Sequence, residues 1–153
     1  MLRLTLSAAL LATTITMPAH AQGLEAEGAI DAIVGSQIHE QEASAQADTE
    51  RVVKAIDKSR ENADAVRKVT EVSEVEIVFL TDAAATEGGP PPEIADKLRE
   101  RKSDVDALRQ EIEGNALLYH AINSKQVLMR DVLALEIGDD RRVVVYAAAK
   151  PAQ

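Results

Sequence analysis

Residues 132–147 have the sequence VLALEIGDDRRVVVYA, in which two apolar runs flank a Gly138-Asp139-Asp140 turn. This pattern predicts a β-hairpin with one arm over 132–137 and the other over 142–147. The consecutive valines Val143–Val145 are typical of a central strand that is buried on both faces. The carboxyl end is therefore expected to contribute sheet to a chain that otherwise favours helix.

Apolar residues recur at intervals of four and three in the stretch before the hairpin. Together they form what we call the helical seam: Ile94, Leu98, Val105, Leu108, Ile112, Tyr119 and Ile122. The spacing predicts one long helix, with Arg101 and Asn115 as the two polar positions of a heptad pattern. Pro92 suits the first turn, where a missing N–H costs nothing. Gly114-Asn115 is a turn signal, but the phase continues beyond it, which favours an unbroken helix ending near 123–124.

The amino-terminal half also favours helix. Residues 24–68 lack proline and are rich in Ala, Glu, Gln, Lys and Arg, which predicts a long first helix. Gly28 and Gly35 weaken its start, so a separate short helix around 29–34 stays open. Within residues 69–80 apolar residues recur at every second position, and this alternation predicts a strand.

These elements predict an α+β protein that is mainly helical. It would have two long helices, arranged as a hairpin or a coiled-coil-like pair, and a small three-stranded sheet, in the order α-β-α-β-β. Glycines and prolines at 82–92 predict a loop between the two halves. The expected single domain covers 22–150, and 151–153 form a tail.

The first 21 residues have the three parts of a secretory signal peptide. Arg3 precedes an uncharged apolar run, and Ala19-His20-Ala21 supplies the small residues of a cleavage site. The run is shorter than a membrane span requires and ends at Pro18. We therefore expect cleavage after Ala21, no membrane anchor afterwards, and a location in the periplasm or the medium.

The composition of the remaining 132 residues excludes several classes of function. They carry 16 Lys and Arg against 26 Asp and Glu, a net charge of −10, because Arg3 is the only formal charge removed. Nucleic acids and anionic membranes need a basic surface, so neither is an expected partner. The chain has no cysteine, which excludes thiol catalysis and cysteine-ligated metals.

Few residues suggest chemistry, and each has a simpler explanation. On a helix, His39 and Glu42 would have the spacing of a metal-binding pair, but two ligands do not make a site. His120 has no recognisable nucleophile or orienting acid. Asp139-Asp140 is explained as a turn neutralised by Arg141 and Arg142. The acidic residues Glu71, Glu74 and Glu76 are expected to form a solvated strand face.

Other motifs of catalysis or cofactor binding are missing from the sequence. It contains no nucleophile elbow, phosphate loop, zinc-protease or dinucleotide motif. The prolines that follow Gly88-Gly89 remove the N–H groups that a phosphate cradle needs. We therefore name no catalytic, metal-binding or cofactor-binding residue and expect no cofactor.

The sequence favours an exported, non-enzymatic protein that associates with itself or with an envelope protein. The helical seam is the expected contact surface, and an exposed sheet edge is a further one. The pattern does not decide whether the seam is buried within the chain or between two copies. The alternative is an envelope enzyme, or a protein that binds a small ligand or metal at an unrecognised site.

Overall fold

The structure is a computed structural model that describes residues 37–84 and 88–148. The signal sequence, the short helix proposed around 29–34 and the tail lie outside the described residues. The described helices and strands are, in chain order, β1 (Gln37–Ala43), α1 (Thr49–Asp57), α2 (Ser59–Val66), β2 (Glu74–Leu80), α3 (Pro92–Glu100), α4 (Lys102–Gly114), α5 (Ala116–Ser124), β3 (Val132–Ile137) and β4 (Arg142–Ala147).

The four strands form one mixed sheet in the order β1-β2-β4-β3. Strands β1, β2 and β4 are parallel, and β3 pairs antiparallel with β4 at one edge. The predicted hairpin is confirmed as β3 and β4. The valines of β4 are buried on both faces between two neighbours, which confirms that it is a central strand.

Two apolar clusters lie on the two faces of the sheet. On one face, Val75, Ile77 and Phe79 of β2 pack with buried residues of α2, α4 and α5. On the other face, Val78 and Leu80 pack with buried residues of α1 and α3. Helices on both faces explain why the central strands have few polar residues.

The broad prediction of a mixed helix and sheet protein is confirmed, but its detailed architecture is wrong. The described residues contain five α-helices and four strands, in the order β-α-α-β-α-α-α-β-β, where two long helices and three strands were expected. Residues 37–43 belong to a strand and not to the expected first helix. They pair in register with β2, so that Gln37 lies opposite Glu74 at one end and Ala43 lies opposite Leu80 at the other. Tertiary pairing here overrides the helix preference of Gln, Glu and Ala.

The expected unbroken second helix is also wrong. The chain leaves helical geometry at Arg101 and at Asn115, so three helices replace one. Asn115 has extended dihedral angles, and its Oδ1 accepts a hydrogen bond from the Leu118 N–H at 3.2 Å. Its Nδ2 donates to the carbonyls of Val66 and Val69 at 2.9 Å. Asn115 therefore begins α5 as an N-cap and fastens it to the end of α2.

The glycine and proline stretch turns the chain between β2 and α3, as expected. Gly88 and Gly89 have φ angles of +96° and +86°, which favour glycine. The Gly89 N–H donates to the Ala84 carbonyl at 3.0 Å. Pro92 begins α3 at the position predicted for it.

Candidate functional site

The helical seam lies mainly inside the chain's own core. Five of its side chains are buried, namely Ile94, Val105, Leu108, Ile112 and Ile122. Leu98 is half-buried, and Tyr119 is exposed by 39% of its surface. The 4-3 spacing therefore coincides with residues of the core, although the helix that carries them is broken. Within the seam only Leu98 and Tyr119, its second and second-to-last residues, retain a surface that another protein could touch.

The two histidines lie apart from any metal-binding arrangement. His39 is exposed on β1, where residues three apart project from opposite faces, so Glu42 does not lie beside it. His120 is exposed on α5, with its ring edge-on to that of Tyr119 at 6.0 Å. In the described part of the chain, no three His, Cys, Asp or Glu residues are grouped to hold a metal.

The carboxyl ends of parallel strands are where α/β proteins commonly bind ligands, but here Asp82 occupies this position. Its carboxylate accepts hydrogen bonds from the N–H groups of Ala45 and Gln46 and from the Ser44 hydroxyl. Burial raises the pKa of Asp82, but these hydrogen bonds outweigh it and lower the pKa below its ordinary value. The donors after β1 are thus already satisfied by the chain itself.

One edge of the sheet is closed by side chains. Among the described residues strand β3 pairs only with β4, and two of its backbone carbonyls accept hydrogen bonds from residues of two helices. Asn62, which is buried on α2, donates from Nδ2 to the Leu135 carbonyl. Arg109 on α4 donates from Nε to the Val132 carbonyl at 2.9 Å. Such contacts prevent another strand from pairing there.

The opposite edge is open among the described residues. Strand β1 pairs only with β2, and five of its seven residues are exposed, namely Gln37, His39, Glu40, Gln41 and Glu42. The other side of its backbone has no paired strand among residues 37–84 and 88–148. A strand of seven residues, aligned throughout with its neighbour, presents a regular row of backbone groups.

The surroundings of β1 are mainly acidic. Glu40 lies 3.5 Å from Lys125, measured from Oε1 to Nζ. On the neighbouring strand Glu74 and Glu76 are half-buried. Glu74 lies 3.2 Å from Arg142 and 3.7 Å from His39. The predicted solvated acidic face is therefore partly buried and partly neutralised.

A surface groove of about 530 Å³ lies between the end of α2, the loop after it and the β3–β4 turn. Its apolar lining comes from Ala65, Val69, Ile137 and Val143. Its exposed charged rim comes from Glu61, Asp64, Lys68, Glu71 and Arg141. The volume lies in the range of small-molecule sites. We call this feature the hairpin groove.

Arg141 has a backbone conformation that is unusual for its residue type. Its φ is +65°, at the position of a three-residue hairpin loop that normally takes glycine. The Arg141 N–H donates to the Gly138 carbonyl at 3.0 Å, and the Gly138 N–H donates to the Arg142 carbonyl at 2.8 Å. A left-handed conformation costs an L-residue about 1–2 kcal/mol.

The observed partner of Arg141 does not offset this cost. Its guanidinium pairs with Glu71, not with the aspartates of the turn, and both side chains are mostly exposed. Such a pair contributes at most about 1 kcal/mol. Of the two arginines expected to neutralise the turn, only Arg142 approaches it, with 3.7 Å from Nη2 to the Asp140 carboxylate. Stability alone therefore does not explain an arginine at position 141.

A smaller, polar depression of about 330 Å³ lies on the other side of the same turn. Four of its charged groups already form two ion pairs, Arg51 with Glu136 and Arg142 with Asp140. The Tyr146 hydroxyl donates to Glu136 at 3.0 Å, and Arg51 lies 3.5 Å from that carboxylate and over the Tyr146 ring. Burial, with the Glu136 charge beside it, raises the pKa of Tyr146 well above its usual range. This cluster fastens α1 to the sheet.

Within the described residues, no helix is both long enough and apolar enough to cross a membrane. The chain matches no protein-family model, and comparison with curated proteins and with solved structures found no match.

Proposed function

We propose that this chain is an exported, non-enzymatic protein that binds another envelope protein along the open edge of its sheet. The observation that carries the proposal is the contrast between the two sheet edges. Asn62 and Arg109 bind two carbonyls of the β3 edge, whereas five of the seven residues of β1 are exposed in the described structure. Strand addition to such an edge is a common mode of peptide recognition.

The export part of the proposal rests on residues 1–21. The apolar run and the Ala19-His20-Ala21 site support cleavage and release to the periplasm. Mass analysis of the protein from its native host tests this part. We expect a chain that begins at Gln22, and an intact Met1 on cytosolic material would contradict it.

Charge favours a different partner over a second copy. In an antiparallel pairing of two β1 strands centred on Glu40, the two Glu40 carboxylates would lie opposite each other. Like charges in that position destabilise a pair of strands, and the Lys125 ammonium 3.5 Å from each Glu40 would reduce this effect without reversing it. The net charge of −10 for residues 22–153 would also repel a second copy and attract a basic segment. We expect the mature protein to sediment as a monomer.

Proline substitutions at two neighbouring residues test strand addition. Adjacent residues of a strand direct their N–H groups to opposite sides. Of His39→Pro and Glu40→Pro, one removes an N–H that pairs with β2 and destabilises the fold, whereas the other removes an outward N–H. Urea unfolding identifies the outward variant, and the inward variant is its matched control.

The decisive comparison uses affinity capture from the envelope. We expect the outward proline variant to keep the stability of the wild type and to lose the captured protein. The captured protein should also slow amide exchange along β1 of the wild type. Retention of the partner by the outward variant, or protection elsewhere only, would contradict the proposal.

A second candidate function is the binding of a small ligand, and the hairpin groove is the observation that favours it. A thermal-shift screen with metals and metabolites tests this function broadly. A ligand present at 100 times its dissociation constant stabilises the folded state by about 2.7 kcal/mol. No shift with any compound, Zn²⁺ and Ca²⁺ included, would count against it.

A further inference from the structure

We infer that the hairpin groove is a binding site for a monoanionic amphiphile, with an aliphatic body in the apolar lining and a carboxylate at Arg141. This site lies at the β3–β4 turn and does not depend on the proposed partner at β1. The argument rests on the lining of the groove, the charges at its rim and the conformation of Arg141.

The lining suits an aliphatic chain. Ala65, Val69 and Ile137 are partly exposed inside the groove, and Val143 of the central strand is buried beneath it. None of the described residues that line the groove is aromatic. Displacing water from such a surface favours an apolar ligand in proportion to the area covered.

The rim selects the head group. Arg141 and Lys68 supply two cations, and a guanidinium binds a carboxylate through two parallel hydrogen bonds. Glu61 and Asp64 lie exposed on α2 at the same groove, and Glu71 pairs with Arg141, so the rim has three carboxylates against two cations and would repel a ligand with several negative charges. A ligand carboxylate would replace Glu71 at the Arg141 guanidinium. A single carboxylate beside an alkyl chain satisfies both conditions.

The backbone of Arg141 supports a role in binding. An arginine is kept in a left-handed conformation that glycine adopts more easily, although its exposed pair with Glu71 adds little stability. Unfavourable backbone conformations of this kind concentrate at ligand sites. A second residue, Gln126, has a similar φ of +57° but does not line the groove, so it provides a matched control.

Three probes with the same eight-carbon chain test the head group: octanoate, octanol and octyltrimethylammonium, each used below its micelle concentration. Calorimetry and methyl NMR of the mature protein should show octanoate binding, with shifts at Val69 and Ile137. Octanol should bind more weakly, and the cation weakest of all. No octanoate binding, equal binding of the three probes, or shifts outside the groove would overturn the inference.

Three variants then test whether Arg141 binds the carboxylate of octanoate. Arg141→Gly should keep or raise the melting temperature and weaken octanoate binding about tenfold or more, the effect of a lost charge-assisted hydrogen bond. Gln126→Gly should relieve the same backbone strain without changing octanoate affinity. Glu71→Gln should strengthen binding, because it frees the Arg141 guanidinium. An Arg141→Gly protein that binds octanoate as tightly as the wild type would overturn the inference, and the Glu71→Gln result remains decisive if that variant does not fold.

Discussion

Asn115→Ala is expected to destabilise the protein by about 3 kcal/mol. The side chain makes three hydrogen bonds, one to the Leu118 N–H and two to the carbonyls of Val66 and Val69. Loss of an N-cap costs about 1 kcal/mol, and each neutral hydrogen bond contributes about 0.5–1.5 kcal/mol. The expected loss of about 3 kcal/mol is the sum of the N-cap at the start of α5 and the two hydrogen bonds that attach α5 to the end of α2.

Asn115→Asp separates these contributions. The aspartate keeps an acceptor for the Leu118 N–H but cannot donate to the two carbonyls at neutral pH. Urea unfolding at equilibrium measures both variants, and we expect Asn115→Asp to retain the cap while losing the attachment to α2. A loss below about 0.5 kcal/mol for Asn115→Ala would refute the reasoning, because a mid-helix surface residue gives a change of that size.

Three further changes test other contacts. Asp82→Ala should cost about 1–3 kcal/mol, because three donors after β1 lose their acceptor. Because the pKa of Asp82 is lowered in the folded state, the ionised carboxylate stabilises the fold at neutral pH. This contribution declines as the pH falls below about 4, so the difference in unfolding free energy between wild type and Asp82→Ala, measured by urea titration, should narrow there. Ser59→Ala should be neutral or stabilising by up to about 1 kcal/mol in urea unfolding, because the buried Ser59 hydroxyl has no hydrogen-bond partner in the described structure. Gln126→Gly should raise the melting temperature, with a gain of about 0.5–1 kcal/mol, because Gln126 occupies a left-handed position after α5. A destabilised Ser59→Ala protein would contradict the unpaired state of the Ser59 hydroxyl, and a destabilised Gln126→Gly protein would contradict the backbone strain at Gln126.

The sequence predicted the elements whose signals are local. The hairpin arms, the strand at β2 and the start of α3 at Pro92 each depend on a pattern within a few residues. The helical seam also identified five core residues, because burial on one face of a helix leaves the same spacing whether or not the helix continues.

Strand β1 was missed because its pattern is not that of a half-buried strand. Only Ile38 is buried, and the exposed Gln, Glu and His residues around it give no alternation. The strand depends on pairing with β2, which is distant in the sequence. The break at Asn115 was missed because the apolar spacing outweighed a turn signal that was in fact correct.

The candidate sites were less accessible to sequence reasoning. Asn62 closes the β3 edge through a residue 73 positions away, and no local pattern predicts such a contact. Arg141 had a usable signal, since the last residue of a three-residue hairpin loop adopts a positive φ, and here that residue is not glycine. Its significance required the neighbouring groove, which only the tertiary structure brings together.

Amide hydrogen exchange along β1 and β3 of the mature protein, with and without the captured partner, tests the central claim about the sheet edges most directly. In the free protein we expect the β1 amides that face away from β2 to exchange rapidly, whereas the β3 amides should exchange equally with and without the partner, because Asn62 and Arg109 occupy carbonyls of that edge. The partner should then protect the rapid β1 amides. Uniform slow exchange of β1 in the free protein, or no change when the partner binds, would contradict an edge open to a partner strand.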